Sequence, residues 1–123
     1  MLDIKYIAGF FDGEGCVQIY KIHNKNSYAF TIAISQTDCD ESRFILNELL
    51  TAYGGCIVKC RRYGNQKKWM QYKLSSRKAL KFLTEIYEYS IVKKSQIKLA
   101  LDFYNNSFID KEILVHTLKM LKG

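Results

Sequence analysis

The sequence has no proline, only seven glycines in 123 residues, four cysteines and two histidines. With no proline and so little glycine it is neither collagen-like nor a low-complexity linker. Hydrophobic residues make up 48% of it, too many for a disordered chain. No apolar run exceeds a few residues, far short of the about 18 that would span a membrane. The first residues lack the basic-then-apolar order of a signal peptide, so the protein is expected to act inside a cell or organelle, with no membrane partner. Cys16, Cys39, Cys56 and Cys60 offer a single close pair, and His23 and His116 lie far apart, so the spacing of a zinc finger is missing. The thiols are expected to be small buried groups in a reducing compartment.

Acidic residues are the remaining shortage. There are 12 Asp+Glu against 19 Lys+Arg, a net charge of +7. Cations on a phosphate backbone release condensed counterions, so an excess of this size points first to nucleic acid and second to an anionic membrane surface. Fifteen of the cations are Lys, and Ile, Asn and Tyr are abundant, a bias in keeping with an AT-rich organelle or phage genome. A chain of this length buries roughly two-thirds of its unfolded surface and needs no disulfide or structural metal. Residues 1–123 are expected to form one domain.

Periodicity orders the chain. Ile4, Ile7, Ala8 and Phe11 recur at helical spacing behind Asp3 as N-cap, which predicts a helix over 3–14 closed by Gly15. Residues 16–23 and 28–36 alternate and predict two strands joined by a polar turn. Asp38 and Glu41 read as a capping box for a second helix, with Ile45, Leu49 and Tyr53 on one face and Gly54-Gly55 at its end. A second hairpin follows, its turn at residues 64–67. Cys56, Val58 and Cys60 are expected to face the core opposite Lys59, Arg61 and Tyr63, while Met70, Tyr72 and Leu74 oppose Trp69, Gln71 and Lys73. Ser75 or Ser76 then caps a third helix carrying Leu80, Leu83 and Tyr87, and helical patterns continue over 93–105 and 110–121. The prediction is an α+β domain with an αββαββα core, a four-stranded antiparallel sheet covered by helices on one face, and extra C-terminal helices.

The uncovered face, collected by alternation, holds Gln18, Tyr20, Ala29, Thr31, Ala33, Lys59, Arg61, Tyr63, Trp69, Gln71 and Lys73. Arg and Gln can read guanine and adenine edges, Lys reaches phosphate, and a curved antiparallel ribbon fits the major groove. Trp69 and Tyr63 suit either stacking on sugar or packing of the hairpin end.

The string Ile7-Ala8-Gly9-Phe10-Phe11-Asp12-Gly13-Glu14-Gly15 is physically odd. Two glycines inside a helix each cost up to about 1 kcal/mol, and an acid at the helix C-terminus opposes the macrodipole. Small residues four apart let another helix backbone approach, and a divalent cation with oxygen ligands would neutralise the carboxylate. The nonapeptide resembles, position for position, the motif of the LAGLIDADG homing endonucleases, with Glu14 in place of a final Asp. The order of elements read above is also similar to that family's core.

The resemblance implies a site-specific double-strand DNA endonuclease dependent on a divalent metal, Mg2+ or Mn2+. The last acid of the motif, Glu14, would bind the metal together with Gly13. Gln36 resembles the family's glutamine at the end of the second strand, and Lys93 its lysine before a late helix; both join Glu14 as implied catalytic residues. One copy of the motif implies a homodimer on a long pseudo-palindromic duplex, its motif helices meeting through Ile7, Gly9, Phe10 and Gly13. Some members of the family act as maturases that fold intron RNA, and others regulate by binding DNA without cutting. Either would use the same basic sheet, so RNA stands as the alternative partner.

Overall fold

A computed structural model describes residues 2–22, 27–60, 68–105 and 110–122. The first helix, α1 (Ile4–Glu14), starts as its sequence requires, with the Asp3 carboxylate accepting the Lys5 N–H at 2.8 Å. Ile7, Ala8 and Phe11 are its buried stripe. It runs directly into β1 (Gly15–Lys21), which pairs antiparallel with β2 (Tyr28–Thr37). Then come α2 (Asp40–Tyr53), β3 (Cys56–Cys60), β4 (Trp69–Ser75), α3 (Ser76–Ile86), α4 (Lys94–Asn105) and α5 (Lys111–Lys122). A short 3-10 turn, Tyr87–Tyr89, links α3 to the segment before α4. The α+β order read from the sequence is the order observed.

All pairings in the sheet are antiparallel, in the order β1-β2-β4-β3. Val17, Ile19, Phe30, Ile32, Ile34, Met70, Tyr72 and Leu74 point to the helix side and are buried. Phe82 of α3 sits in that layer, edge-on to Phe11 (5.4 Å between ring centres) and to Tyr53 (5.0 Å). The Tyr72 hydroxyl donates its one proton to the Gly54 carbonyl at 2.7 Å, with the Leu49 carbonyl at 3.2 Å sharing it, tying the end of α2 to the centre of the sheet. Burial pushes the Tyr72 phenol well above its ordinary value.

Three local expectations are corrected. In β3, Ile57 lies opposite Tyr72 on the core side, whereas Cys56 and Val58 lie opposite Lys73 and Gln71 on the open side. The run Cys56-Ile57-Val58 is apolar at three successive positions, so alternation alone leaves its phase open, and pairing with β4 decides it. Cys56 is therefore exposed rather than buried, and Cys16 and Cys39 are half-buried. Asp38 does not cap α2. Cys39 is the N-cap residue, without a side-chain cap bond, and the Asp38 carboxylate takes the Arg43 guanidinium at 2.6 Å. That bond to Arg43 holds the Asp38 carboxyl below its usual range.

Two features fix the end of α1. A Cβ on Gly15 would overlap the ring of Phe11, which is fully buried, so the last glycine of the nonapeptide is required by packing. The Asp12 carboxylate accepts the Ser90 hydroxyl and the backbone N–H groups of Ile91 (2.7 Å), Val92 (3.2 Å) and Lys93 (3.2 Å). The segment leading into α4 is thereby fastened to the C-terminal turn of α1. Partial burial pushes the Asp12 carboxyl up, but the Ser90 hydroxyl and these three N–H groups outweigh it and hold the carboxyl below its ordinary value.

Replacing Asp12 by Asn is expected to lower unfolding stability by about 1.5–3 kcal/mol near neutral pH. Because the folded carboxyl titrates below its unfolded value, this contribution is complete above that value and is lost as pH falls through the folded one. Urea unfolding of both proteins should therefore show the gap closing in acid. Gly15→Ala, which must displace Phe11, is expected to cost about 1–3 kcal/mol in the same assay, with no dependence on pH.

Candidate nucleic-acid interface and metal centre

Glu14 is the last residue of α1 and is exposed. Because α1 runs without a break into β1, its end sits beside the end of β2, which pairs there with the start of β4. The result is an open depression of about 500 Å3 lined by Glu14, Ser35, Gln36, Thr37 and Trp69. The fold thus brings together Glu14, Gln36 and Trp69, which are far apart in sequence. The Gln36 amide donates to the Ser35 carbonyl at 2.9 Å, and its oxygen accepts the Ser42 hydroxyl at 3.4 Å. One amide N–H remains for a further acceptor.

Lys93 does not line this depression. Its ammonium donates to the Asp12 carbonyl at the C-terminal turn of α1, so it offsets part of the helix dipole that an acid at position 14 opposes. Two ammonium protons remain free for other acceptors. Asp12, which holds the Lys93 backbone, is the site residue that sequence reasoning missed. The only signal it gave was its place in the nonapeptide.

Among the described residues no group of three or more His, Cys, Asp or Glu could hold a metal ion. One chain offers the Glu14 carboxylate and the carbonyls at the end of α1. The ion pairs of the described residues join Arg43 to Asp38 and Asp40 and leave Glu14 out. This donor set fits Mg2+, which keeps several waters and takes one or two carboxylates plus substrate phosphates.

The open face carries Gln18, Tyr20, Thr31, Trp69, Gln71 and Lys73, as alternation predicts. Thr31 donates to the Gln18 side-chain oxygen at 2.9 Å, and the Gln71 amide donates to the Ser35 hydroxyl at 3.1 Å. These cross-strand bonds fix the rotamers of two long polar side chains and reduce the entropy lost when they meet a ligand. Lys59 is the exception, lying opposite Met70 on the helix side of edge strand β3. It is exposed there at the sheet edge, since the phase of β3 is the opposite of the one expected from alternation. Arg61 and Tyr63 lie outside the described residues.

The outward face of α1 differs from expectation at one position. Gly9 and Gly13 are exposed, and a Cβ on either would meet none of the described residues within 4 Å. Phe10 is half-buried, its ring stacked on that of Tyr6 (6.3 Å, 8° between planes). Ile7 is only 6% exposed and belongs to the core, because it lies one helical turn from Phe11. Tyr6, 50% exposed, takes its place on the outer stripe.

Comparison with known proteins agrees with this geometry. The family model described as LAGLIDADG endonuclease matches residues 7–107. A crystal structure of the homing endonuclease I-CvuI with its target, in the presence of Ca, superposes with a TM-score of 0.75 at 17% identity, covering 96% of this chain and 80% of that one. I-CvuI on the I-CreI target in the presence of Mg, with its DNA not cleaved, gives 0.71 at 20% identity over the same shares. The meganuclease I-SmaMI bound to uncleavable DNA gives 0.65 at 21% identity, with 98% of this chain covering 44% of that one. At these identities the likeness is one of fold. No curated protein matches the sequence. With its motif, its element order and most of its length accounted for by the family model, the chain belongs to the LAGLIDADG endonuclease family.

Proposed function

We propose that this endonuclease is a homodimer that cuts both strands of a long pseudo-palindromic DNA site with the help of a divalent metal. The observation that carries the reading is the exposed Glu14 carboxylate, held at one end of an open, polar sheet face in the same depression as Gln36. Gly9 and Gly13 support the homodimer. Glycines inside a helix are costly, nothing among the described residues uses the space they leave, and a second α1 packed across a two-fold axis would. That axis would bring two Glu14 residues together, and like charges at close range favour a shared cation.

Hydrolysis joins a water oxygen to phosphorus and breaks the bond to the 3' oxygen, leaving a 5' phosphate and a 3' hydroxyl. Mg2+ or Mn2+, held by Glu14 and the Gly13 carbonyl, would supply Lewis-acid stabilisation of phosphate charge and a more acidic water. Gln36, with its amide fixed by Ser35 and Ser42, would orient the attacking water through its remaining N–H. Lys93 would place positive charge beside the phosphate. The open face would contribute Gln18 and Gln71 to base edges and Lys73 to the backbone.

A cleavage selection on a randomised duplex library tests the reading. Double-strand cuts at one two-fold-related sequence, made in Mg2+ by the unmodified protein, are the expected result. Duplexes retained without cuts would replace the enzyme with a DNA-binding regulator, and no enrichment of any duplex would turn the assignment to RNA. Glu14→Gln should slow cleavage by about a hundredfold or more with binding retained, and a normal rate would remove Glu14 from the metal site. Lys73→Ala should reduce the slope of log affinity against log salt by about 1, while Gln71→Ala should relax base preference at one position of each half-site.

A further inference from the structure

The end of the sheet away from Glu14 carries a second depression, of about 680 Å3, into which Lys73, Arg77 and Lys78 project with Ser75 and Ser76. Among the described residues no acidic side chain lines it, and none of Lys73, Arg77 and Lys78 takes part in an ion pair. All three are exposed. Like charges gathered in one concavity repel unless an anion is shared among them.

Backbone packing sets their placement. A Cβ on Gly55 would run into the Lys73 carbonyl, so β3 and β4 approach closely there only because residue 55 is glycine. Gly54, at φ 79°, passes beneath Lys78, whose ammonium would lie 3.2 Å from a Cβ at that position. The start of β3, the end of β4 and the first turn of α3 thus meet at one point. The Ser75 side chain makes no capping bond to α3, so its hydroxyl stays free to donate.

The location decides the partner. Lys73 pairs with Ala33 and Cys56 on the open face, so the basic depression continues the surface that carries Gln71. Ser75 lies opposite Thr31, and Gln36 is five residues farther along β2. At the rise of a strand those five residues span about 17 Å, or about five base steps of a duplex laid along them.

We propose that Arg77 and Lys78, together with Lys73, form a phosphate anchor that grips the DNA backbone at the outer flank of each half-site, about five or more base pairs outward from Gln36. The inference rests on the DNA-cleaving reading above and adds a backbone contact from α3 that the sheet face does not supply. Arg77 brings a planar fork suited to bidentate contact with a phosphate, and Lys78 a mobile point charge. Affinity and register would gain, while base preference would not change.

The test measures binding of a labelled random-sequence duplex against salt concentration for the unmodified protein and three variants. Arg77→Gln with Lys78→Gln should reduce the slope of log affinity against log salt by about 1 for each cation removed. The charge-preserving pair Arg77→Lys with Lys78→Arg should keep the slope, which separates loss of charge from loss of fold. Lys81→Ala, on the same helix but outside the depression, should also keep it. On the site delivered by the cleavage selection, ethylation of outer-flank phosphates should weaken the unmodified protein and leave the doubly neutralised variant unaffected.

An unchanged slope in that variant, while the unmodified protein binds and cuts, overturns the anchor alone. Failure of the unmodified protein to bind any duplex overturns the DNA reading and the anchor with it. Saturable binding of inorganic phosphate at Arg77 and Lys78, with no change in DNA salt dependence, would make the depression a small-anion site and also overturn the anchor.

Discussion

The structure depends on one carboxylate. Asp12 takes a hydroxyl and three backbone N–H groups from residues 90–93, some eighty positions along the chain. No local preference would hold that segment, because Ile91 and Val92 are 84% and 75% exposed and contribute almost nothing to the core. The Lys93 ammonium closes the tie from the other side by donating to the Asp12 carbonyl. The placement of Lys93 at the end of α1, and the tolerance of an acid two residues farther on, therefore share one cause. An ammonium bound to the helix C-terminus reduces the cost of the Glu14 charge, and leaves that charge facing outward for use.

The legible parts of the fold were those whose period is unambiguous. In α1 the spacing of Ile4, Ile7, Ala8 and Phe11 settles the buried stripe, and in β2 the alternation of Phe30, Ile32 and Ile34 against Thr31 and Ser35 settles both faces. β3 was not legible, because three successive apolar residues satisfy either phase and an edge strand is buried too little for composition to choose. The choice is made across the sheet, where Ile57 meets Tyr72. Asp38 followed by Glu41 gave a local capping signal, but Arg43 offered the Asp38 carboxylate a stronger, charged partner.

The candidate site was legible in its chemistry and less so in its contacts. Glu14 and Gln36 meet in one depression, as their places at an element end and a strand end allow. Ile7 shows the limit of reading a motif as a string. Its letters run consecutively, while the helix distributes them over opposite faces, Ile7 and Phe11 inward and Gly9 and Gly13 outward with Tyr6. Asp12 shows a second limit, since a bond between residues 12 and 90 leaves no periodic trace in either neighbourhood.

Glu14 and the cations of α3 sit at opposite ends of β4, and that separation follows from topology. β1 begins where α1 ends, so the acid that closes α1 must sit at the end of the sheet where β2 finishes and β4 starts. α3 begins where β4 ends, so the cations of its first turn must sit at the opposite end. On the same open face Gln71 is held by Ser35 at the level of the Glu14 depression, and Gln18 by Thr31 at the level of Ser75, with Lys73 between the two levels. In the homodimer proposed above, the two-fold axis would turn both Glu14 residues inward, toward metal and the bonds to be cut, and both Arg77 and Lys78 pairs outward, toward backbone. A duplex lying across such a dimer would meet cations at its flanks and the two acids at its centre. Attraction at the flanks would then hold the DNA in place, while the repulsion between phosphate and carboxylate at the centre would await a divalent ion.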